Sequence, residues 1–331
     1  MAAHSPFRRR LVLTLLLAVL ALLGLDRWLD VREAAIAAAW PPEGRLIEVN
    51  GQKVHVLTLP ATAATGRRKP ADIVLIHGAG GNWHDMTGSL APSLRARFRV
   101  FVIDRPGHGW TAPLPGPAHG PFVQARLLHA AARAAGARSP VVVGHSYGGA
   151  VALAWAELYP DETPAVVLLA PAARPWRGLP RRLLLLLGNE PAAGALAFVA
   201  ALLAPGPVSR FILEQRIFAP ERMPPDYPER RGVALALRRV TQKAVTLQLA
   251  DLVQAFPRLE AGLGHVRMPV EIVQGTADRM VRFEDVSPPL ARALPDARLT
   301  AIEGAGHMVH WLHRDTVLAA IGRAATRAGL P

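Results

Sequence analysis

The sequence contains no cysteine. That excludes disulfide bridges, thiolate catalysis and cysteine-ligated zinc, and it leaves the redox compartment open. Acidic residues are scarce as well: 25 Asp and Glu stand against 38 Lys and Arg, nearly all of them arginine, for a formal charge of +13. Aromatics make up only 6% of the chain, so the arginines lack interleaved stacking partners. They are also scattered rather than gathered in a stripe. This pattern predicts a solvated basic surface, with attraction to anionic lipid surfaces as the competing reading, and no nucleic-acid partner. Hydrophobic residues at 51% leave ample material for a core, so the bulk of the 331 residues is expected to fold. The length suits one large α/β domain with an insertion, or two domains.

Long apolar runs are rare, and the clearest lies at the amino terminus. "FRRR" (7–10) precedes "LVLTLLLAVLALLGL" (11–25). Some 15 apolar residues rise only about 22 Å as a helix, short of a hydrocarbon core of about 30 Å. The segment is therefore a signal-peptide core or a short anchor whose flanking Arg and Trp reach the interfaces. Small-residue cleavage sites, "AIA" (35–37) and "AAA" (37–39), come about a dozen residues late, beyond charges. An uncleaved anchor is expected, with Arg8, Arg9 and Arg10 holding the short tail in the cytoplasm. The following domain then faces the periplasm or another extracytoplasmic space. Secretion after cleavage is the alternative. "LDVREAAIAAAW" (29–40) reads as a helical stalk stopped by Pro41-Pro42.

From residue 44 the pattern changes. "GRLIEVNGQKVHVLTLP" (44–60) holds two alternating runs around Asn50-Gly51, a hairpin signal, and a polar loop follows at 64–70. Fully apolar strands ending in Gly- or Pro-containing loops recur at "DIVLIHGAGGN" (72–82) and "RVFVIDRPGHG" (99–109). They recur again at "VVVGHSYGG" (141–149), "PAVVLLAP" (164–171), "MPVEIVQGTAD" (268–278) and "ARLTAIEGAGH" (297–307). Strands of this kind alternating with helices describe an α/β fold, a doubly wound, mostly parallel sheet covered on both faces. Ligands of such sheets bind beyond the carboxyl ends of the strands. Between residues 172 and 267 the rhythm gives way to proline-punctuated helices, which fit an inserted helical lid. The expected organisation is an anchor or signal segment with stalk at 1–43, a core at 44–171, the lid at 172–267 and the rest of the core at 268–331.

Gly144-His145-Ser146-Tyr147-Gly148 satisfies G-x-S-x-G with an apolar strand before it and a helix after it. A turn that sharp leaves no room for side chains at Gly144 and Gly148, and it asks Ser146 to accept a strained backbone. Serine needs a base to take its proton, and the base needs a carboxylate to orient it. Asp278 and His307 supply these, each just past a predicted strand, in the order Ser, Asp, His.

With these residues the chain resembles lid-bearing serine hydrolases of the α/β-hydrolase fold, over roughly residues 44 to 327. The resemblance implies Ser146 as nucleophile, His307 as general base and then acid, and Asp278 as its orienter, with Asp285 a weaker substitute. "HGAGG" (77–81) matches the family's oxyanion loop, which implies backbone donors at Ala79 and Tyr147, with His77 and Gly78 in support. Losing one such donor typically costs about 2.7–4 kcal/mol of transition-state stabilisation. Asp104 is expected to brace its turn, and His145, His310 and His313 to be pocket wall or surface. A serine at the nucleophile position argues against epoxide hydrolases and haloalkane dehalogenases, which carry aspartate there.

The expected activity is cleavage of an acyl bond in a small molecule, foremost a carboxylic ester with an apolar acyl group. No cofactor or metal is implied. Carbon–carbon bond hydrolases, perhydrolases, aminopeptidases and acyltransferases share such triads. A non-catalytic, membrane-tethered binding protein is the alternative of another class.

Overall fold

A computed structural model describes residues 6–62, 70–203 and 206–330. The polar loop expected at 64–70 therefore lies, apart from Pro70, outside the described residues. The chain divides into two units, Met1–Pro41 and Pro42–Pro331.

The first unit is one helix, α1 (Pro6–Ala39). The apolar run and the predicted stalk are continuous, because Asp26, Arg27, Asp30, Arg32 and Glu33 are compatible with helix and no Gly-Pro break separates them. Arg9–Ala39 is long and apolar enough to cross a membrane, a test that a signal sequence also passes. The span available is thus longer than the apolar run alone suggested.

The second unit is built on one eight-stranded sheet in the order β1-β2-β4-β3-β5-β6-β7-β8. β1 (Arg45–Val49) and β2 (Gln52–Leu59) pair antiparallel. Asn50 and Gly51 both take positive φ, 51° and 77°, as the two central positions of a type I′ turn require. β2 runs antiparallel to β4, and from there the sheet is parallel. Its strands are β3 (Ala71–Ile76), β4 (Phe98–Ile103), β5 (Val141–His145), β6 (Val166–Leu169), β7 (Val270–Gly275) and β8 (Ala297–Ile302).

The apolar strands divide their side chains with period two between two cores. Val74, Ile76, Val142, Val166 and Leu168 join one, together with apolar side chains of the helices at Pro121–Ala134 and Tyr147–Leu158. Ile73, Leu75, Val141, Val143, Val167 and Leu169 join the other. Each such side chain contributes about 1.5–3 kcal/mol by leaving water, which explains why the central strands carry no polar face.

Along the chain, α2 (Trp83–Thr87) and α3 (Ala91–Leu94) follow β3, and α4 (Pro121–Ala134) precedes β5. α5 (Tyr147–Leu158) leaves β5 through Ser146. Between β6 and β7 the described residues form helices, among them α6 (Arg181–Leu187), α7 (Glu190–Leu203), α8 (Pro207–Ile212), α9 (Tyr227–Arg231), α10 (Val233–Ala236) and α11 (Arg239–Gly262). α6 and α7 meet at 103°. α12 (Phe283–Ala293) joins β7 to β8, and α13 (Val309–Leu312) and α14 (Arg314–Arg327) close the unit.

The glycines around Ser146 are there for space. A Cβ on Gly144 would stand 2.1 Å from the Gly148 carbonyl oxygen, and one on Gly148 would stand 2.4 Å from that of Ile76. Backbone, unlike a flexible side chain, has nowhere to go. Gly148→Ala is expected to lower stability by about 3 kcal/mol or more, read as a shifted urea midpoint. A variant with wild-type stability would show that β3 and α5 are not in backbone contact.

Candidate active site

Ser146 sits at φ 53°, ψ −119°, a left-handed conformation rare for a non-glycine residue. Its neighbours hold the strained backbone there. The Ser146 N–H donates to the Leu169 carbonyl at 2.8 Å, and its own carbonyl accepts from Ala172 at 3.0 Å and Gly149 at 2.9 Å. The side chain is therefore lifted out of the sheet at the carboxyl end of β5, half-buried. Behind it, the N–H of Tyr147, the first residue of α5, has no partner within the helix and can meet negative charge.

Asp278 and His307, 29 residues apart in sequence, form a buried pair: His307 Nδ1–H donates to Asp278 Oδ2 at 2.7 Å. The carboxylate is held on its other sides. Oδ1 accepts the N–H groups of Met280 (2.8 Å) and Val281 (3.0 Å), and Oδ2 also accepts from Gln274 Nε2 at 3.0 Å. Gln274 is itself fixed by donating to the Val281 carbonyl. With Nδ1 engaged as donor, the lone pair of a neutral His307 lies on Nε2, the nitrogen a serine hydroxyl would use. Asp285 takes no part. It accepts from the backbone and guanidinium of exposed Arg177, so the weaker candidate acid is a surface ion pair.

Two neighbours connect the serine, the imidazole and the HGAGG loop. His145 Nε2–H donates to the His307 carbonyl at 3.2 Å, and the two rings lie 4.8 Å apart. A Cβ on Gly78 would meet Ser146 Cβ at 3.1 Å, so only glycine lets the loop pass this close. The loop is braced from two further sides. His77 Nε2 accepts the Arg105 N–H at 2.9 Å, and Arg231, from α9, donates to the Gly80 carbonyl at 2.7 Å. Ala79 lies half-buried between these ties.

His145 and His310 are not surface residues. They are 3% and 0% exposed, with rings 4.2 Å apart, and His310 Nε2 lies 3.4 Å from Asp85 Oδ2. Only His313 is partly open, with its ring on Glu221. Burial raises the Asp85 carboxyl, but His310 and Arg231 outweigh it and hold Asp85 well below the usual carboxylate range. Asp104 accepts the N–H groups of Trp83 and Trp110 and the His55 Nδ1–H, the bracing expected of it.

Sequence reasoning missed Arg105. Fully buried, it donates to Gln124, Gln248 and the Gly78 carbonyl, and its guanidinium stacks 4.3 Å over the Tyr147 ring. Burial lowers its pKa to about 10. Arg105 thus ties the HGAGG loop to α11. Gln274 was missed too, although a glutamine ending the strand "VEIVQ" just before the Gly-containing turn to Asp278 is the kind of signal that marks it.

The buried imidazoles make stability pH-dependent. Burial, then the nearby Arg105 charge, lowers His77 to about 4, and burial also holds His108 and His145 well below 6.5. Between about pH 6.5 and 4 the unfolded chain binds protons that folded His77 refuses, so stability is present above 6.5 and lost on acidification. The slope is about 1.4 kcal/mol per pH unit for each such histidine. His55 acts in the opposite sense: burial lowers it, but Asp104 and Glu43 together raise it more, so its contribution is present at low pH and lost as pH rises. His84 and His129 are lowered by burial too, and five lowered histidines against one raised predict a lower urea midpoint at pH 5 than at pH 7. An unchanged midpoint would contradict this.

A family model described as alpha/beta hydrolase fold matches residues 73–314. The chain belongs to the α/β-hydrolase-fold family. It is 32% identical to the pimeloyl-[acyl-carrier protein] methyl ester esterase of Aromatoleum aromaticum, over 71% of this chain and 90% of that protein. It is 31% identical to the magnesium-chelatase 30 kDa subunit of Rhodobacter capsulatus, over 74% and 84%. Identity to the 2-hydroxy-6-oxononadienedioate/2-hydroxy-6-oxononatrienedioate hydrolase of Comamonas testosteroni is 25%, over 73% and 83%. The α/β-hydrolase relatives thus include enzymes of both ester and carbon–carbon chemistry.

Proposed function

We propose that the protein is a serine hydrolase that cleaves a carboxylic ester with an apolar acyl group. Ser146 Oγ attacks the ester carbonyl while His307 Nε2 takes its proton. Asp278 keeps Nδ1 protonated and stabilises the imidazolium. The tetrahedral oxyanion is met by the N–H groups of Ala79 and Tyr147. Collapse expels the alcohol, protonated by His307, and leaves the acyl group on Ser146. Water, deprotonated by His307, then attacks the acyl-enzyme, and the serine leaves with the proton returned.

The observation that supports this reading is the buried Asp278–His307 pair, tied through the His307 carbonyl to His145, the residue before a serine at φ 53° that the glycine-rich loop passes closely. The helices at 172–267 serve as the lid, and an apolar cavity of about 310 Å³ between them and Ala79–Gly80 would take the acyl group. A second reading, carbon–carbon bond hydrolysis of a ring-cleavage product, is supported by likeness to the Comamonas hydrolase. A series of esters of increasing acyl length, assayed beside an amide and a ring-cleavage dienoate, tests the two. Turnover is expected on esters. Turnover of the dienoate alone would reverse the assignment.

Through α1 the protein is held in a membrane, with the 44–331 portion on the periplasmic or extracytoplasmic side. Release into the soluble fraction by salt alone would contradict the anchor. A mature chain beginning near Trp40 would make the segment a cleaved signal.

A further inference from the structure

α7 is inside out. Its buried stripe is Ala193, Ala197 and Ala201, the small side chains that pack against α11. Its large side chains, Leu196, Val199 and Leu203, point to solvent at 39%, 48% and 65% exposure. Apart from Glu190 at its start the helix carries no charge. A helix apolar all round belongs in a core or against lipid, not in water. The neighbours extend the pattern: Leu183, Leu185 and Leu186 are exposed on α6, and Val208, Phe211 and Ile212 on α8. Exposed apolar side chains on three successive helices mark an interaction site.

Three of these residues have a second position. Leu203, Val208 and Ile212 also line the cavity that ends on Ala79 and Gly80. The cavity therefore joins the HGAGG loop to the exposed apolar rim. Exposed Arg181, Arg182 and Arg216 lie in the same run of helices. Apolar side chains flanked by arginines match an anionic bilayer, whose acyl region takes the first and whose phosphates take the second.

We infer that the outer face of α6, α7 and α8 rests in the surface of an anionic lipid bilayer, and that the cavity draws the acyl chain of its substrate from that bilayer. This rests on the acyl-hydrolase reading above and names its substrate class: an ester of a bilayer-resident lipid.

The absence of cysteine makes the test clean, because one introduced thiol is the only labelling site. Leu186→Cys, Phe211→Cys and a control, Ala134→Cys, at the opposite end of the sheet beside β5, would each carry an environment-sensitive fluorophore. Each full-length variant is reconstituted in vesicles of phosphatidylglycerol and phosphatidylcholine. Spin-labelled lipid is expected to quench the reporters at 186 and 211, and not the one at 134. Reporters at 186 and 211 quenched by aqueous iodide as readily as the control would overturn the inference. So would reporters shielded from both quenchers, which would mean a protein partner or a second copy.

In the same vesicles, the double variant Leu186→Asp/Phe211→Asp should turn over a vesicle-borne long-chain ester about tenfold more slowly, with a short soluble ester unaffected. Equal loss on both substrates would also contradict the inference. Fluorophosphonate labelling of Ser146 separates the two readings. A labelled serine with water-exposed reporters removes only the bilayer surface, whereas an unlabelled serine removes the hydrolase reading beneath it.

Discussion

Ser146→Ala is expected to lower turnover of every ester the protein accepts by about 10⁴- to 10⁶-fold while leaving KM and the urea midpoint close to wild type. The size of the effect follows from the chemistry: without Oγ there is no acyl-enzyme, and what remains is binding and oxyanion stabilisation. The small structural effect follows from position. The Ser146 backbone, held by Leu169, Ala172 and Gly149, keeps the bend, and alanine fills the same volume less one oxygen. A left-handed alanine carries some strain, so a modest loss of stability is compatible. Steady-state kinetics on the best ester of the series provides the check. Residual turnover within tenfold of wild type would place the nucleophile elsewhere.

Asp278→Asn should cost about 10⁴-fold in kcat, and the reason lies in which oxygen the amide can replace. Oδ1 accepts two backbone N–H groups, from Met280 and Val281. The asparagine carbonyl must stay there, since an NH₂ would face two donors. The NH₂ then takes the Oδ2 position, 2.7 Å from His307 Nδ1, and there it donates. His307 must answer with a bare Nδ1, which moves its proton to Nε2 and removes the lone pair that would accept from Ser146. The same NH₂ meets the Gln274 side-chain amide, which donates to Oδ2 in the wild type, so a stability loss accompanies the kinetic one. Comparison of kcat with KM separates the contributions: a tautomer error lowers kcat and leaves KM nearly alone. Loss confined to KM would contradict the orienting role.

Much of this molecule is legible in its sequence because its central signals are local. Asn50-Gly51 marks the hairpin, uninterrupted Val/Leu/Ile runs mark strands buried on both faces, and glycines mark where backbones touch. The G-x-S-x-G turn and the two strand ends bearing Asp278 and His307 are short motifs in fixed relation to strands. Strand periodicity cannot reveal what supports them. Arg105 is one arginine among many until Gln124, Gln248 and the Gly78 carbonyl close around it from three distant segments. His145 and His310, expected at the pocket wall or surface, lie stacked inside, and His310 reaches Asp85 from a segment far away in the sequence. The inverted face of α7 is equally hidden. Its composition says only apolar, and the partner helix α11 decides which side is covered.

The central claim is that Ser146 is an activated nucleophile. Treating the purified full-length protein with a fluorophosphonate and mapping the adduct by peptide mass spectrometry tests it most directly. The account predicts one adduct, on Ser146, absent from Ser146→Ala and strongly slowed in Asp278→Asn. An adduct on another residue, or labelling that survives Ser146→Ala, would contradict it.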